Sequence, residues 1–337
     1  MRAVAYREPG PIEREDALVD VTIDRPEALG RDLLVAVRAV SVNPVDTKLR
    51  RSQGPEEGEW RVLGFDAAGV VEAVGPDVTR FSPGDEVYYA GSIARPGTNS
   101  ELHLVDERIV GKKPASLSDA EAAALPLTAI TAWEMLFDRL DVRRPTAEGA
   151  GTILVVGAAG GVGSITVQLL RALTEMTVIG TASRPETREW VRECGADHVI
   201  DHTKPLSPQI HGIGLGAPGF VFSTTHTDDH MGDVVELIAP QGRFGLIDDP
   251  AELDVRPLKL KAVSVHWELM FTRPLFQTPD VAEQGRILGE VATLVDAGRV
   301  RSTLTEIAGK IDAETLRTVH ARIERGTARG KIVLEGF

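Results

Sequence analysis

The stretch best suited to chemistry in this 337-residue chain is GTILVVGAAGGVG, Gly151 to Gly163. Thr152 to Val156 is a short β-branched run without charge, the pattern of a parallel strand covered on both faces. After Gly157, the segment Ala158-Ala159-Gly160-Gly161-Val162-Gly163 fits G-x-G-x-x-G with Ala158 at the first glycine, and Val162, Ile165, Leu169 and Leu173 then recur at helical spacing. Small residues in such a turn let the backbone approach a pyrophosphate, while the helix N-terminus presents unpaired N–H groups and the positive end of its dipole. The competing reading is a turn that needs glycine only for positive φ or close packing. A strand before, a helix after and a second strand at Thr177 to Thr181 favour a dinucleotide. Ala158, Gly160, Gly161, Val162 and Gly163 are the candidate contacts.

About 20 residues past the glycines, where an NAD site carries Asp or Glu against the ribose 2′-hydroxyl, this chain has Ser183 and Arg184. A carboxylate about 4 Å from a 2′-phosphate costs up to about 4 kcal/mol per charge pair at an effective dielectric near 20. Arg184 offers instead charge-assisted hydrogen bonds of roughly 1.5–3 kcal/mol each. Ser183 and Arg184 therefore predict NADPH over NADH. Against this stands a solvated Arg184 ahead of Pro185, with Glu186 left to bind the ribose.

The elements that must position these residues read in two styles. Residues 2 to 105 show short strands at Ala3–Tyr6, Leu18–Ile23, Leu33–Val42, Gly69–Val74, Glu86–Tyr89 and Glu101–Val105, broken by Pro9-Gly10-Pro11, Gly75-Pro76-Asp77 and Ser82-Pro83-Gly84-Asp85. That spacing predicts a compact β-barrel. Ser118 with Glu121 is a capping box opening a helix that Pro126 interrupts before it resumes to about Leu140. From Gly151 the pattern alternates, with strands near 152–156, 177–181, 198–201, 219–223, 242–247 and 262–267, which describes an α/β, doubly wound parallel sheet. Thr278 as N-cap, Pro279 and Gly298 delimit a long helix, Asp312 to Glu324 another, and Lys331–Leu334 a last strand that returns to the first domain.

Lys+Arg 37 against Asp+Glu 50 gives a net charge of −13, which argues against nucleic acid or an anionic membrane as a partner. The start, MRAVAYREPG, carries no signal or transit pattern, and no apolar stretch approaches membrane-spanning length, so a soluble, cytoplasmic protein is expected. Cys194 is the single cysteine; it reads as buried packing on the helix after the second strand and allows no four-cysteine zinc lobe.

Together, Ser41-Val-Asn43-Pro44-Val-Asp46-Thr47, Gly64-Phe-Asp66-Ala-Ala-Gly69-Val-Val, Gly84-Asp85-Glu-Val87, Ala124-Leu-Pro126-Leu-Thr128-Ala-Ile-Thr131-Ala-Trp133, Ala158 to Gly163 and Gly330-Lys331-Ile-Val-Leu334 run in order along nearly the whole chain. These motifs resemble the medium-chain dehydrogenase/reductase superfamily, in its quinone oxidoreductase-like branch often labelled zinc-type alcohol dehydrogenase-like. The resemblance implies a GroES-like catalytic β-barrel domain over 1–125, completed by 272–337, and a Rossmann NADP-binding domain over 126–271. It also implies a cofactor in the cleft between them, and a homodimer; Val263 to Trp267 is apolar enough to be a sheet edge that pairs with a second subunit. By the same resemblance Thr128, Thr131 and Lys331 join the cofactor site, Thr131 near the nicotinamide. Arg184 and His202 flank the 2′-phosphate, His202 standing where tyrosine is usual. Asn43 faces the substrate, and Lys48 takes a position often held by tyrosine, giving Asn43, Lys48 and Thr131 as catalytic candidates.

Zinc-dependent members place a cysteine, a His-Glu pair and a further cysteine or acid where this chain has Asn43, Phe65-Asp66 and Leu127. Those residues cannot supply about three converging N, S or carboxylate ligands. His198 and His202 lie i, i+4 across a predicted strand, a spacing that brings side chains together on a helix but not there. No zinc is expected. Without a metal to polarise oxygen, the chemistry implied is hydride transfer from NADPH to an already electron-poor quinone or α,β-unsaturated carbonyl. The alternatives are a zinc-dependent alcohol dehydrogenase and an NADPH-binding sensor or structural protein without turnover. Asp46 reads as a support for the turn around Asn43-Pro44. Trp60, Tyr88, Tyr89, Trp267, Met270, Phe271 and Phe276 are candidate walls of an apolar pocket, although each alone is more often core.

Overall fold

The structure, a computed structural model, describes residues 1–144, 146 and 151–337. The chain divides into two compact units, Met1–Ile130 with Phe271–Phe337, and Thr131–Met270. The sequence placed these divisions at 125/126 and 271/272.

The first unit opens with β1 (Arg2–Tyr6), β2 (Val19–Thr22) and β3 (Asp32–Ser41), then α1 (Pro44–Ser52), β4 (Arg61–Val62), β5 (Ala67–Val74), β6 (Glu86–Tyr89), β7 (Leu102–Asp106) and β8 (Val110–Lys112). α2 (Asp119–Ala123) starts on the expected capping box: the Glu121 amide donates to Ser118 Oγ at 3.2 Å and the Ser118 amide to Glu121 Oε2 at 2.9 Å. α3 (Pro126–Trp133) follows, and the helix does not run on regularly to Leu140. Glu134–Arg139 is instead a π-helical turn.

In the second unit β9 (Thr152–Val156), β10 (Thr177–Thr181), β11 (His198–Ile200), β12 (Phe220–Ser223), β13 (Arg243–Leu246) and β14 (Ser264–Trp267) form one parallel sheet in the order β11-β10-β9-β12-β13-β14. Its crossovers carry α4 (Gly161–Leu173), α5 (Pro185–Glu193), α6 (Leu206–Ile213) and α7 (Thr227–Leu237). Leu154, Ile179, Val221 and Phe244 lie at the buried centre of one face, as the charge-free β-branched runs require. The order reverses beside β9, whose C-terminal end leads into the glycine turn. That is the switch point at which such sheets bind ligands. Cys194 closes α5 and is buried.

The chain then returns to the first unit through α8 (Thr272–Phe276), α9 (Glu283–Asp296), β15 (Leu304–Gly309), α10 (Ala313–Glu324) and β16 (Lys331–Glu335). Among the described residues, β16 joins a seven-stranded sheet of order β15-β16-β3-β5-β6-β8 with β7 also on β3, and β2-β1-β4 form a second sheet. α9 begins at Glu283, not at Pro279, because Thr278 Oγ1 is spent on Asp280 Oδ1 at 2.6 Å in a turn that precedes the helix. Sequence periodicity also missed β4, β8 and β15. The first two are only 2 and 3 residues long, and β15 is half-exposed with register shifts against β16. Among the described residues no helix is long and apolar enough to cross a membrane.

Candidate active site

The glycine turn sits in the second unit where β9 gives way to α4. Gly157 takes φ +77°, and its N–H donates to Thr181 Oγ1 at 3.0 Å, which ties the turn to the end of β10. Thr224 Oγ1 donates to the Val156 carbonyl at 2.9 Å and braces the other side. A Cβ on Gly163 would lie 2.3 Å from the Gly157 carbonyl oxygen, so this glycine lets α4 press onto the turn. Ala158, where the fingerprint has its first glycine, is fully buried, and its methyl group packs toward Gly180 of β10. Gly160 is the N-cap of α4 and has open space around its missing side chain, with no atom nearer than 3.5 Å to the position of a Cβ. The first-turn N–H groups of this 13-residue helix are those a pyrophosphate would accept from.

At the end of β10, Ser183 is half-buried and Arg184 is the exposed N-cap residue of α5, its Nε 3.2 Å from Glu186 Oε1. No carboxylate interrupts Ala182-Ser183-Arg184 itself. His202 follows β11 with its Nδ1 buried and without a hydrogen-bond partner. Burial holds the His202 imidazolium below the usual histidine range, assisted by the fields of His230, His226 and Arg184. Motif reading had singled out Arg184 and His202. His226, held in the left-handed region at φ +54° with Nδ1 2.7 Å from Thr225 Oγ1, and His230 on α7 went unnoticed because they fall on the fourth crossover, far along the chain from the glycine turn.

The first unit gathers a buried polar cluster. Asn43 caps α1, and Asp46 completes the capping box by accepting the Asn43 N–H on Oδ2 at 2.7 Å. The other Asp46 oxygen takes the Gly64 N–H at 3.0 Å, which is the turn-supporting role expected of it. Burial pushes the Asp46 carboxyl up to about 7, outweighing those two N–H donors and the field of Lys331. Asp66, fully buried, is the hub. Its Oδ1 accepts the Leu127 N–H at 2.7 Å; its Oδ2 accepts from Ser41 Oγ at 2.8 Å, Asn43 Nδ2 at 2.8 Å and Lys331 Nζ at 3.0 Å. Lys331 Nζ also donates to the Val42 carbonyl at 3.2 Å and to Asn43 Oδ1.

This geometry changes two expectations. An ammonium has three N–H donors, and Lys331 spends them on three protein acceptors, so none remains for a cofactor. Asn43 is a buried link in the network: Oδ1 accepts from Lys331, and Nδ2 donates to Asp66 and, at 3.4 Å, to the Ser41 carbonyl. It is therefore not a free donor turned to substrate. Lys48 lies on the exposed face of α1. Thr128 is buried and donates to the Leu125 carbonyl at 3.0 Å, and Thr131 is buried at the start of the second unit. Of the proposed pocket walls, Tyr88 and Tyr89 are fully buried. Phe271 packs edge-on to Phe65 at 5.3 Å, and Arg7 covers Trp60 at 4.0 Å. Trp267 and Phe276 are exposed. Ser41 and the hub role of Asp66 were missed. The available signal was Lys331 itself, a lysine opening an apolar strand, which burial permits only with a partner.

These residues do not fit a catalytic zinc. Asn43 offers an amide oxygen already bound to an ammonium, Phe65 and Leu127 offer no side-chain donor, and both Asp66 oxygens are engaged. Among the described residues no group of three or more His, Cys, Asp or Glu is placed to hold a metal ion.

A switch-point glycine turn on a doubly wound sheet, joined in one chain to a β unit with a buried charged cluster, is the build of a dinucleotide-dependent oxidoreductase. Residues 30–115 match the alcohol dehydrogenase GroES-like domain and residues 161–281 the zinc-binding dehydrogenase family. A zinc-type alcohol dehydrogenase-like protein of Staphylococcus aureus is 39% identical over 336 residues, covering 99% of each chain. The crystal structure of a candidate zinc-dependent alcohol dehydrogenase from Rhizobium etli CFN 42 is 62% identical with a TM-score of 0.98, covering 100% of this chain and 98% of that one. The Escherichia coli quinone oxidoreductase solved with NADPH shares the fold at a TM-score of 0.84 and 21% identity, covering 99% of this chain and 100% of that one. The chain belongs to the medium-chain dehydrogenase/reductase superfamily and is a nicotinamide-dependent oxidoreductase of that type.

Proposed function

We propose that the protein uses NADPH to reduce a quinone or an α,β-unsaturated carbonyl compound without a catalytic metal. The observation that carries this reading is the buried Lys331–Asp66 pair at 3.0 Å, with Phe65 and Leu127 beside it, where zinc-dependent members hold their metal. NADPH supplies a hydride when bound. The first-turn amides of α4 hold its pyrophosphate, and Ser183, Arg184 and His202 surround its 2′-phosphate. With no Lewis acid to draw charge onto oxygen, the substrate must already be electron-poor, and the protein contributes orientation and exclusion of water. Among the relatives, the human protein named NAD(P)H oxidoreductase RTN4IP1, mitochondrial, 29% identical over 333 residues, supports a reduced nicotinamide as donor.

The same reading pairs two copies of the chain along β14, the last strand in the sheet order, beside exposed Trp267 and Leu269. Sedimentation of the wild type and of Trp267→Glu tests it: a dimer that the substitution splits supports the pairing, and a monomeric wild type rejects it.

Turnover is tested with EDTA-dialysed protein, NADPH or NADH, and a panel of quinones and enones, following loss of reduced-cofactor absorbance. Turnover with NADPH and much less with NADH supports the proposal. Activity recovered only on adding Zn²⁺, an alcohol and oxidised cofactor would establish the zinc-dependent reading, in line with the names of the Staphylococcus and Rhizobium relatives. NADPH binding with no turnover of any acceptor would point to a non-catalytic nucleotide sensor.

A further inference from the structure

The clustered side chains of the first unit carry one step more. We infer that Lys331 is a positioning residue, a built-in cation whose ammonium occupies the place of a metal and locks Asp66, Asn43 and the end of β3 into one arrangement. Its effect on turnover rests on the function proposed above; its effects on metal content and cofactor affinity do not.

Three separated stretches meet at this ammonium, and a fourth joins them through Asp66. Lys331 opens β16, the Val42 carbonyl follows β3, Asn43 caps α1, and Asp66 reaches through its second oxygen to the Leu127 N–H in the first turn of α3. Every side chain in the set is buried, Lys331 at 3% exposure and Asp66 at 0%. A lysine in such surroundings persists only when its charge is balanced and its donors are used. Both conditions hold here: one carboxylate and two neutral oxygens match three N–H groups.

The ammonium also decides which way the Asn43 carboxamide points. Because Oδ1 accepts from Lys331, Nδ2 must face Asp66, and that bond at 2.8 Å fixes the opposite face of the hub. Asp66 Oδ2 therefore accepts three hydrogen bonds while Oδ1 holds the start of α3. A neutral amide at 66 could not reproduce this, since its NH₂ would confront donors.

Among the described residues nothing else in the cluster supplies positive charge. Asp46 adds a second buried carboxyl rather than a counter-charge, and its backbone donors are N–H groups of Asn43 and Gly64. Lys331 is thus the group that makes the cluster compatible with burial and, at the same time, leaves no vacant carboxylate for a divalent ion.

The test uses full-length protein: wild type, Lys331→Met, Asp66→Asn, and the double variant Asp66→Asn/Lys331→Met, each incubated with zinc sulfate and desalted before elemental analysis. Wild type is expected to carry far less than one zinc per chain. Lys331→Met is expected to melt well below wild type because Asp66 is left unbalanced, and the double variant to regain most of that loss. In the double variant the NADPH dissociation constant should stay within about twofold of wild type, while kcat with the best acceptor falls about tenfold or more from misplacement of α1 and α3.

Full recovery of both melting temperature and kcat in the double variant would overturn the inference, showing a replaceable structural pair. Loss of NADPH affinity with stability restored would overturn it in favour of a cofactor contact for Lys331. Stoichiometric zinc in the wild type that Asp66→Asn removes would also overturn it. If the wild type reduces no acceptor, the proposed function fails, whereas zinc content and NADPH affinity still decide the role of Lys331.

Discussion

Replacing Gly163 with alanine adds one methyl group to the first turn of α4, and the atoms in its way are backbone. The new Cβ would stand 2.3 Å from the Gly157 carbonyl oxygen and 2.5 Å from Ala158 Cα, against ordinary contact beginning near 3.4 Å. The helix or the turn must therefore move by about 1 Å, the difference between 2.3 and 3.4 Å. Alanine's better helix propensity returns up to about 1 kcal/mol, but overpacking costs about 1–3 kcal/mol, and because the atoms in the way are backbone the upper end applies, leaving a net loss of about 2 kcal/mol in the second unit. The same shift withdraws the α4 amides from a pyrophosphate. Losing one such charge-assisted hydrogen bond, worth roughly 1.5–3 kcal/mol, weakens NADPH binding about 10- to 150-fold. Gly160→Ala is the matched control. Its Cβ meets nothing nearer than 3.5 Å, so the unliganded chain accommodates it apart from a weaker N-cap worth under about 1 kcal/mol. The methyl instead intrudes on the space a nucleotide needs. Thermal unfolding by circular dichroism without cofactor, paired with NADPH fluorescence titration, separates the two. Gly163→Ala should lose both stability and affinity, and Gly160→Ala mainly affinity. Wild-type affinity in both variants would mean that the nucleotide does not rest on this helix, and an unchanged melting temperature in Gly163→Ala would refute the packing argument.

Three further outcomes are expected. Arg184→Ala should raise the NADPH dissociation constant about 10- to 150-fold, one charge-assisted hydrogen bond, and leave NADH nearly unaffected; equal losses for both cofactors would remove Arg184 from the 2′-phosphate. Burial raises the Asp46 carboxyl from 3.8 to about 7, so the stability tied to its protonated form is complete below 3.8 and lost as pH rises through 7. That loss amounts to about 4 kcal/mol at most. Melting temperatures of wild type and Asp46→Asn from about pH 4 to 8 should converge as pH rises, although the amide lowers the curve overall by giving up one backbone bond; parallel curves would refute the shift. His320 has both ring nitrogens buried without partners, and burial, with the Arg50 charge, lowers it from 6.5 to about 3. Its contribution is intact above 6.5 and lost as pH falls toward 3, up to about 5 kcal/mol, so His320→Leu should blunt acid unfolding in a melting series below about pH 6. An acid limb identical to wild type would sink that assignment.

The parallel sheet was readable because its evidence is local. Each strand from β9 to β13 is a short, largely apolar run followed by a crossover to another strand of the sheet, and the glycine turn needs only contiguous residues to reveal a strand, a bend and a helix N-terminus. The capping box Ser118–Glu121 was readable for the same reason. Thr278 misled because a side chain that can cap a helix can equally bond Asp280 two residues on, and sequence does not rank the two.

The buried cluster posed the harder problem. Lys331 and Asp66 are separated by 265 positions, and no periodicity relates them. What the sequence did hold was an inconsistency, a lysine heading Ile332-Val333-Leu334 and an aspartate between Phe65 and Ala67, each costly to bury alone. Two such unpaired charges, one of each sign, are most economically explained by each other. A metal at Asp66 would instead have required neighbours with donor atoms, and Phe65 and Leu127 have none in their side chains. Asp66 therefore calls for a cation held by the chain itself, and Lys331, set in an apolar strand, is the lysine that supplies it.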